Sequence, residues 1–410
     1  MEKVKILLVG IGGYGASYIN RYRTFEEEIA PLTEIVGVVD PVASKSSQYE
    51  WVLEQNIPVY NTMEEFYAEH TADLAVISTP TSLQQPMSMC ALQHGTQVLC
   101  EKPIVPVLQD LDPLREAVKA SGKDLAVGFQ WSFARPLVRM KREILEGKFG
   151  KPLRMRCCIS WPRPLSYYAG STWKGRISDG KGNFILDSIV TNATAHYLHN
   201  IFFMLGETMD SSRMPTEVLA EIYRAKDIET FDTCFLKGKF DNGCEFLYSA
   251  SHSTNTNEGP RLIYEFEKAT FTYNVLAQDG DLIATFADGT QENYGPLLTE
   301  REEFHKLFAV VEHIRTGAPL TCTIETVVPH LAVCNAIFEL DRVALFPKET
   351  LREMELYNST LTYVDHLYED LHQCFDEFQL PSEKKFVWAS QPKPLQLENY
   401  TRFSGNRFQN

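Results

Sequence analysis

The sequence predicts an α/β protein of two domains, a doubly wound parallel sheet followed by an α+β domain with a large, mainly antiparallel or mixed open sheet. Three observations carry this prediction. The chain has 410 residues, whereas a single hydrophobic core stops growing near about 250–300 residues. In the first third of the chain, β-branched apolar runs alternate with amphipathic stretches of helix length, which is typical of a parallel sheet covered by helices. From Val218 to Phe286 the pattern is almost entirely that of strands.

The first domain, residues 1–130, has six predicted strands and five predicted helices. The strands are Val4–Val9, Glu34–Val39, Val59–Tyr60, Leu74–Ser78, Gln97–Cys100 and Leu125–Phe129. The helices are 14–24, 43–55, 62–69, 83–94 and 107–121. Pro58, Gly95 and Gly122 separate these elements, because a helix stops or the chain turns most readily at such residues.

The second domain, residues 131–345, is predicted to combine helices with one sheet. Its helices are 135–146, 188–205, 300–315 and 323–343, and its strands are Pro152–Trp161 and most of Val218–Phe286. The segments Asp241-Asn242-Gly243 and Asp279-Gly280 predict hairpin turns, since Asn and Gly tolerate a positive φ. Residues 346–410 are predicted to form an extension packed on the body, with a helical piece from Leu361 to Phe378.

The composition excludes several kinds of partner. Lys and Arg number 39 against 54 Asp and Glu, a formal net charge of −15, and such an acidic chain binds phosphate backbones and anionic lipid poorly. We therefore expect neither nucleic acid nor membrane as a partner. The apolar run Ile6–Val9 is short and ends at glycines, so the sequence predicts no signal peptide and a cytoplasmic location.

The nine cysteines are odd in number and scattered from Cys90 to Cys374. The one close pair, Cys157-Cys158, lies in a predicted strand, where neighbouring side chains point to opposite faces. No CxxC spacing occurs. We expect reduced thiols that act as small apolar side chains.

A glycine loop follows the first strand. Gly10, Gly12 and Gly15 stand at the positions of a GxGxxG motif, just where a helix begins. Such glycines allow a tight turn, close approach of the backbone to a pyrophosphate, and packing of helix against strand, while the helix N-terminus faces the phosphates. A glycine-rich turn without a ligand is the alternative. The location between strand and helix favours a dinucleotide-binding Rossmann domain.

Asp40 ends the second predicted strand. A carboxylate at this point accepts hydrogen bonds from the adenosine ribose hydroxyls and repels a 2′-phosphate, which favours NAD over NADP. Ser44 and Lys45 nearby keep NADP as an alternative. Asp40 could also be only a turn residue or a helix N-cap.

Two polar segments follow later strands of the same sheet, Ser78–Thr81 and Glu101–Pro103. Because ligands of open α/β sheets bind outside the carboxyl ends of the strands, both segments are predicted to face the crevice of the glycine loop. Lys102 could exchange a proton with a hydroxyl or carbonyl if burial and charge move its pKa toward neutrality. A solvated lysine at a strand end is the alternative.

Taken together, these motifs make the sequence resemble the Gfo/Idh/MocA oxidoreductases, the family of glucose-fructose oxidoreductase and inositol dehydrogenase. The resemblance covers about residues 1–345 and also rests on Gly128-Phe129-Gln130-Trp131 and Gly150-Lys151-Pro152-Leu153. It implies that Lys102 is the catalytic acid/base and that Glu101 contacts the nicotinamide ribose. Gln84 stands where relatives often carry a His. The cofactor-binding residues predicted in this way are Gly10, Gly12, Gly13, Tyr14, Gly15, Asp40, Ser78, Thr79, Pro80, Glu101, Lys102, Gln130 and Trp131.

The resemblance is looser in the second domain, where the family shows an Asp and, four residues on, a His facing the nicotinamide. Counted from Gly182, these positions are Asp187 and Thr191, whereas counted back from Leu205 they are Asn192 and His196. We favour the second register.

In that register Asn192, His196 and His199 share one face of the predicted helix. The predicted catalytic residues are therefore Lys102, His196, Asn192 and, at the rim, Asp187. A core position is the alternative for His196 and His199, and no third ligand at suitable spacing supports a metal site.

An aromatic loop runs from Trp161 to Arg176 and is rich in groups that stack on sugar faces and donate to hydroxyls. The resemblance implies that this loop lines the substrate cleft, and a hydrophobic lid or subunit contact is the alternative. The predicted substrate contacts are Lys102, Trp161, Tyr168, Trp173 and His199.

These residues predict an NAD-dependent oxidoreductase that transfers a hydride between nicotinamide and a secondary hydroxyl or carbonyl of a sugar, cyclitol or related polyol. A carbohydrate-like small molecule is therefore the expected partner. Two alternatives stay open, a glycoside-cleaving enzyme that retains NAD and a non-catalytic regulator that depends on the dinucleotide.

A homodimer or homotetramer is also predicted. Apolar residues such as Phe235, Phe240, Phe246 and Phe271 fall on both faces of the second sheet, and the helices of the same domain can cover only one of them. The uncovered faces of two copies would then meet. Alternatively, the C-terminal extension covers that face.

Overall fold

A computed structural model describes residues 2–276 and 280–405. The contacts divide the chain into two compact units. The first unit comprises the described residues up to Arg135 together with Thr299–Val327, and the second comprises Pro136–Leu298 and the described residues from Val328. The sequence prediction assigns 299–327 to the second domain, whereas the structure assigns this segment to the first unit.

The strands are numbered in chain order. They are β1 (Val4–Val9), β2 (Thr33–Val39), β3 (Val59–Tyr60), β4 (Leu74–Ile77), β5 (Gln97–Cys100), β6 (Leu125–Val127), β7 (Pro152–Ser160), β8 (Glu217–Arg224), β9 (Thr233–Lys239), β10 (Glu245–Ser251), β11 (Glu258–Phe266), β12 (Ala269–Asn274), β13 (Asp281–Phe286), β14 (Gln291–Pro296), β15 (Ala344–Leu345), β16 (Leu351–Leu356), β17 (Ser359–Val364) and β18 (Lys393–Pro394).

The α-helices are numbered in the same way. They are α1 (Tyr14–Thr24), α2 (Glu26–Ile29), α3 (Tyr49–Glu54), α4 (Met63–Glu69), α5 (Thr81–Gln93), α6 (Leu111–Ser121), α7 (Arg135–Leu145), α8 (Leu165–Tyr168), α9 (Ala195–Met204), α10 (Glu300–Thr316), α11 (Ile324–Phe338), α12 (Leu367–Glu377) and α13 (Pro381–Lys384).

The first unit contains a six-stranded parallel sheet in the order β3-β2-β1-β4-β5-β6. All four residues of β4 are buried, as are five of the six residues of β1. Such continuous burial is what a parallel sheet covered on both faces requires. The predicted doubly wound sheet is confirmed, and each predicted strand lies within a residue or two of its observed position.

Helix α10 belongs to this unit because its apolar face packs against α1, β1 and β5. The apolar residues buried on this helix are Phe304, Leu307, Val310 and Val311. Beyond the helix, the backbone N–H of Val127 donates to the carbonyl of Cys322 at 3.0 Å. The segment after α10 thus continues the hydrogen bonding at the edge strand β6.

The second unit contains a mixed sheet in the order β14-β13-β12-β11-β7-β10-β9-β8-β15, with β18 beside β8. The pairs β7–β10 and β8–β15 are parallel, and the other pairs are antiparallel. The predicted mixed sheet is confirmed. The turn at Asp241-Asn242-Gly243 joins β9 to β10, with Gly243 at φ 84°, whereas Asp279 lies outside the described residues.

The C-terminal extension covers one face of the mixed sheet. Its helix α12 packs against β7 and β10, and Leu371, Phe375 and Trp388 share a buried cluster with Cys158 and Phe235. This covering was the alternative to a contact between subunits at that face. A homodimer or homotetramer stays a prediction. The uncovered sheet face that suggested it is covered by the extension.

One stretch of the extension differs from its predicted structure. Residues Ser359–Val364 form β17, paired with β16, and α12 begins only at Leu367. The sequence Leu361-Thr362-Tyr363-Val364 consists of β-branched and aromatic residues apart from Leu361, which suit a strand better than a helix.

Among the described residues, no helix has the length and apolar character needed to cross a membrane.

We predict that Leu371→Ala lowers the free energy of unfolding by about 2–5 kcal/mol, because it empties a fully buried site between α12 and the sheet. The shift of the urea midpoint measures this loss. Val387→Ala is the control, since Val387 is 92% exposed in the same extension and should change stability by less than about 0.5 kcal/mol. Equal, small shifts in both variants would show that the extension does not pack as described.

Candidate functional site

The glycine loop of the first unit is closed on one side and open on the other. A Cβ at Gly15 would lie 2.1 Å from the carbonyl oxygen of Gly10, and a Cβ at Gly10, whose φ is +81°, would lie 2.9 Å from Thr79. A Cβ at Gly12 would meet no atom within 4 Å. The first and third glycines therefore allow α1 and β4 to approach the loop, while the second leaves space at the helix N-terminus for a ligand.

Asp40 accepts hydrogen bonds from the glycine loop and from the turn that follows β2. Its Oδ2 accepts from the N–H of Ile11 at 3.0 Å, and its Oδ1 accepts from the N–H of Val42 at 2.9 Å. The Ser46 hydroxyl donates to the carbonyl of Ile11 at 2.6 Å. Since a carboxylate has about four acceptor positions, Asp40 serves as a turn residue and keeps capacity for ribose hydroxyls.

Two buried hydroxyls at the end of β4 support a dinucleotide at this edge. Ser78 Oγ and Thr79 Oγ1 are inaccessible to solvent and have no hydrogen-bond partner among the residues that the structure describes. Buried hydroxyl groups are normally hydrogen-bonded. The glycine loop, Asp40 and these hydroxyls lie at the carboxyl ends of β1, β2 and β4, and together they fit a bound NAD.

Glu101, at the end of β5, takes part in a buried ion pair with Lys306 of α10. The Tyr18 hydroxyl donates to the same carboxylate oxygen at 2.7 Å, and Lys306 Nζ also donates to the Tyr14 hydroxyl at 3.1 Å. Both members of the ion pair are almost completely buried, Glu101 at 6% exposure and Lys306 at 1%. A Cβ at Gly128 would lie 2.7 Å from this carboxylate, so only a glycine there leaves room for it.

The ion pair and burial determine the protonation of Lys306 and of Tyr18. Burial alone would lower the pKa of Lys306, but the neighbouring Glu101 carboxylate and Tyr14 outweigh it and the pKa is raised. Burial and Glu101 raise the pKa of Tyr18 well above its ordinary value. Lys306 is therefore cationic, and Tyr18 is a neutral donor to the Glu101 carboxylate.

Of the remaining predicted residues of the first unit, Gln130 contacts this cluster through Tyr14. Tyr14 donates to the Gln130 side chain at 3.3 Å, and Trp131 is buried at 1% exposure. Lys102 follows Glu101 directly and is partly buried, and its peptide bond to Pro103 is cis. Because Lys102 follows the carboxyl end of β5, it lies at the same edge of the sheet as the glycine loop.

The second unit contains a cavity that brings together two of its predicted catalytic residues. Asp187 and Asn192 line this cavity with Tyr167, Tyr168 and His252. Asn192 Nδ2 donates to the Tyr167 hydroxyl at 3.3 Å, and Asp187 Oδ2 accepts from the N–H of Gly175 at 2.5 Å. His196 is not one of the lining residues.

The predicted helix over 188–205 begins later than expected, at Ala195. Before it, Thr191 Oγ1 accepts from the N–H of Ser188 at 2.8 Å and donates to the carbonyl of Leu186 at 2.8 Å. Such short side chains compete with the helix for backbone groups. Asn192 therefore lies in a turn before α9, and the helix face predicted to include it with His196 and His199 is wrong.

The two histidines of α9 have different surroundings. His199 is fully buried and stacks on Phe203 with the ring centroids 6.0 Å apart. Burial, with the charges of His330 and Lys141, holds the pKa of His199 well below its ordinary value. This favours the core role that the sequence left open for His199. His196 is partly buried in the first turn of the helix.

The predicted substrate residues of the aromatic loop differ in their surroundings. Tyr168 lines the cavity, and Trp173 is 38% exposed. Trp161 Nε1 donates to the carbonyl of Gly259 at 3.1 Å, and its ring meets the Tyr197 ring edge to face at 5.5 Å. Trp161 thus anchors the start of the loop.

Sequence reasoning missed Lys306 and His252. The sequence pattern could have indicated Lys306, because Glu302 and Lys306 lie four residues apart on the otherwise apolar face of a predicted helix. His252 directly follows β10, and no sequence pattern indicated it. Its Nδ1 lies 2.8 Å from the carbonyl of Trp161, and since a carbonyl only accepts, this nitrogen carries the proton.

All nine cysteines are free thiols, and eight of them are buried. Within the described ranges, no group of three His, Cys, Asp or Glu side chains is arranged to hold a metal ion.

Residues 4–129 match the model of an oxidoreductase family described as having an NAD-binding Rossmann fold, GFO_IDH_MocA. The chain is also 28% identical to inositol 2-dehydrogenase 4 of Saccharopolyspora erythraea over 157 residues, which cover 38% of this chain and 45% of that protein. It is 27% identical to 1,5-anhydro-D-fructose reductase of Ensifer adhaerens over 289 residues, covering 70% of this chain and 82% of that one. The match to the inositol dehydrogenase thus spans less than half of its length.

A solved structure shows the same fold over most of the chain. An oxidoreductase from Agrobacterium radiobacter, in complex with NAD⁺, L-tartaric acid and magnesium, superposes with a TM-score of 0.67. The superposition covers 82% of this chain and 96% of that one at 16% identity, so the likeness concerns the fold. The family model, the relatives and the fold agree with the motifs of the first unit, and residues 4–129 of this chain are similar to the NAD-binding Rossmann domain of the Gfo/Idh/MocA oxidoreductases.

Proposed function

We propose that the protein is an NAD-dependent oxidoreductase that interconverts a secondary hydroxyl and a carbonyl on a sugar, cyclitol or related polyol. The observation that carries this proposal is the carboxyl edge of the parallel sheet, where the glycine loop, Asp40, the unpartnered Ser78 and Thr79 hydroxyls and Lys102 follow neighbouring strands. The relatives named as an inositol dehydrogenase and an anhydrofructose reductase support the substrate class.

NAD, when bound, supplies the acceptor or donor of the hydride. In the proposed mechanism the glycine loop and the N-terminus of α1 bind the pyrophosphate, and Asp40 accepts hydrogen bonds from the adenosine ribose. Lys102 Nζ removes the proton of the reacting hydroxyl in one direction and returns it to the carbonyl oxygen in the other. Asp187, Asn192 and His196 of the second unit are the further catalytic residues proposed.

Glu101 and Lys306 act through Lys102 as positioning residues in this proposal. The ion pair and the Tyr18 hydrogen bond immobilise the residue that precedes Lys102. A proton-transferring group works best when its position is held by such neighbours. Contact between Glu101 and the nicotinamide ribose stays a prediction.

The first prediction concerns the choice of cofactor. The protein should bind NAD(H) more tightly than NADP(H), and Asp40→Ala should narrow the ratio of the two dissociation constants by about 10–100-fold, because it removes hydrogen bonds to the ribose and the repulsion of a 2′-phosphate. Calorimetric titration with each cofactor measures the ratio.

Asp73→Ala is the matched control for Asp40→Ala. Asp73 accepts from the N–H of Lys5 at 2.8 Å, at the opposite, amino end of the strands. Its loss removes a similar backbone contact and should leave the ratio unchanged. A preference of the unmodified protein for NADP(H) would overturn the cofactor assignment.

The next prediction concerns proton transfer. Lys102→Met should cut kcat by about 10²–10⁴-fold with little effect on the affinity for NAD, and His196→Ala should lower kcat by a similar or smaller factor. The formation of NADH with a panel of polyols and aldoses measures kcat. Lys119→Met, an exposed lysine on α6, is the control and should keep full activity.

Three outcomes of that experiment lead elsewhere. Full activity of Lys102→Met would rule out the proposed acid/base. Cleavage of aryl glycosides without net formation of NADH would identify the glycoside-cleaving alternative. Binding of NAD without turnover of either panel would favour the regulator.

A separate prediction concerns the buried ion pair. Lys306→Met should lower the free energy of unfolding by about 3–5 kcal/mol, because it leaves the Glu101 carboxylate buried without its cation. The double variant Glu101→Gln, Lys306→Met should recover part of this loss, since no buried charge remains. Chemical denaturation measures both, and Lys306→Met as stable as the parent would contradict the proposed role of the pair.

A further inference from the structure

The cavity of the second unit has the size of one water molecule. It offers about 10 Å³ to the centre of a water, and a buried water needs about 10–15 Å³ by this measure. The polar residues that line it include Tyr168, Asp187, Asn192, Thr230 and His252. A sugar or a dinucleotide is too large for this space, whereas a single water fits it.

Thr230 lies in the loop between β8 and β9, and within the described residues its buried hydroxyl has no hydrogen-bond partner. The residue is 2% exposed and lines the cavity. Buried hydroxyls are normally hydrogen-bonded, because a polar group that has lost water and gained no partner destabilises the fold. A small polar ligand in the cavity would supply the missing hydrogen bond.

His252 supplies an acceptor to the same cavity. Its Nδ1 donates to the carbonyl of Trp161 at 2.8 Å. Burial first, and then the charge of Arg163, hold the pKa of His252 well below its ordinary value. The ring is therefore neutral at neutral pH, and its Nε2 can only accept a hydrogen bond.

Tyr168 and Asp187 have opposite hydrogen-bonding roles. Burial first, and then the charge of Asp232, raise the pKa of Tyr168 well above its ordinary value, so its hydroxyl keeps its proton and can donate. Asp187 Oδ2 accepts from the N–H of Gly175 at 2.5 Å. Since a carboxylate has about four acceptor positions, Asp187 can accept further hydrogen bonds.

These four groups match the hydrogen bonding of water. A water molecule donates two hydrogen bonds and accepts two, and a buried water makes about three in all. The cavity offers hydroxyl donors on Thr230 and Tyr168 and acceptors on Asp187 and His252. An anion would be repelled by Asp187. A metal ion would lack ligands, since no group of three His, Cys, Asp or Glu side chains in the described part of the chain is arranged to hold one.

We propose that the cavity binds one water molecule, which donates to Asp187 and His252, accepts from Thr230 and Tyr168, and holds the Asp187 carboxylate in position for the proposed reaction. Thr230 and His252 are then positioning residues that act on Asp187 through this water. A carboxylate whose neighbours fix its orientation loses less entropy when it contacts a substrate. The role in catalysis rests on the proposed function, whereas the binding of the water does not.

A crystal structure at a resolution that shows ordered waters tests the site directly. We expect one water in the cavity at about 2.5–3.2 Å from Thr230 Oγ1 and from an oxygen of Asp187. The same water should be present in Thr230→Ser, which keeps the hydroxyl. In Thr230→Val it should be weak or absent, and the Asp187 carboxylate should be rotated. An empty cavity in the unmodified protein would overturn the proposal.

The sign of the stability change gives a second test that needs no turnover. Val has nearly the shape of Thr, so Thr230→Val removes the hydroxyl and keeps the packing. With a bound water, the variant loses a hydrogen bond and the urea midpoint falls. In a dry cavity the variant only removes an unpartnered polar group, and the midpoint stays or rises.

Two further variants calibrate that shift. Thr230→Ser keeps the hydroxyl and loses a methyl group, so it should be the milder change if the hydroxyl matters and the more harmful one if only packing matters. Thr33→Val is the matched control in the first unit. Its buried hydroxyl donates to the carbonyl of Ile29 at 2.9 Å, and its loss shows how far the midpoint falls when one buried hydrogen bond is removed.

Turnover separates the positioning role from the proposed reaction. With a polyol that the unmodified protein oxidises, Thr230→Val should lower kcat by about 10-fold with the dissociation constant of NAD unchanged, because a displacement on the order of 1 Å at a reacting group can cost about 100-fold. Thr230→Ser should restore kcat. A bound water with equal kcat in all three proteins would contradict the positioning role.

The remaining outcomes distinguish the two proposals. A bound water, a lower midpoint and a rotated Asp187 in Thr230→Val, without turnover of any polyol or aldose by the unmodified protein, would support the water site and contradict the proposed reaction. A dry cavity together with turnover would contradict the water site and leave the oxidoreductase in place. A dry cavity without turnover would contradict both.

Discussion

The buried pair of Glu101 and Lys306 is the contact on which the first unit depends. Glu101 directly follows β5, and Lys306 lies in the middle of α10, 205 positions later in the chain. A carboxylate buried at this depth is costly without a cation beside it. The segment after β5 that carries Lys102 therefore reaches its final surroundings only when α10 lies against the sheet. The geometry of the carboxyl edge of the sheet thus depends on the later segment Thr299–Val327, which belongs to the first unit and supplies Lys306.

The mixed sheet of the second unit shows how one chain covers both faces of a wide sheet. α9 packs against β7 on one face, while the C-terminal extension brings Phe375 and Trp388 onto a cluster that includes Phe235. In a strand, neighbouring residues alternate between faces, and Cys157 and Cys158 are buried at 0% and 1% exposure. Both faces of β7 are therefore core.

Local patterns predicted the parallel sheet of the first unit almost completely, because parallel strands and their helices are determined by apolar runs and by glycines close in sequence. They did not predict that α10 belongs to the same unit. The loop at Gly10–Gly15 and the carboxylate of Asp40 were found in this way. Lys306 was not, since its partner Glu101 is distant in the chain and periodicity carries no information on such a contact. The turn at Ser188–Thr194 was mistaken for helix because its side chains compete for backbone hydrogen bonds, an effect that apolar periodicity does not record.

The first unit is discontinuous in the chain, and this affects how the protein can be made. A growing chain that has left the ribosome only up to Leu298 contains all six strands of the parallel sheet but not α10. At that stage the Glu101 carboxylate and the surface that later packs under Phe304 and Leu307 have no covering. Domains generally fold as units during synthesis, the N-terminal one first. Here the first unit has to wait until β7–β14 of the second unit have been synthesised, because α10 follows them in the chain.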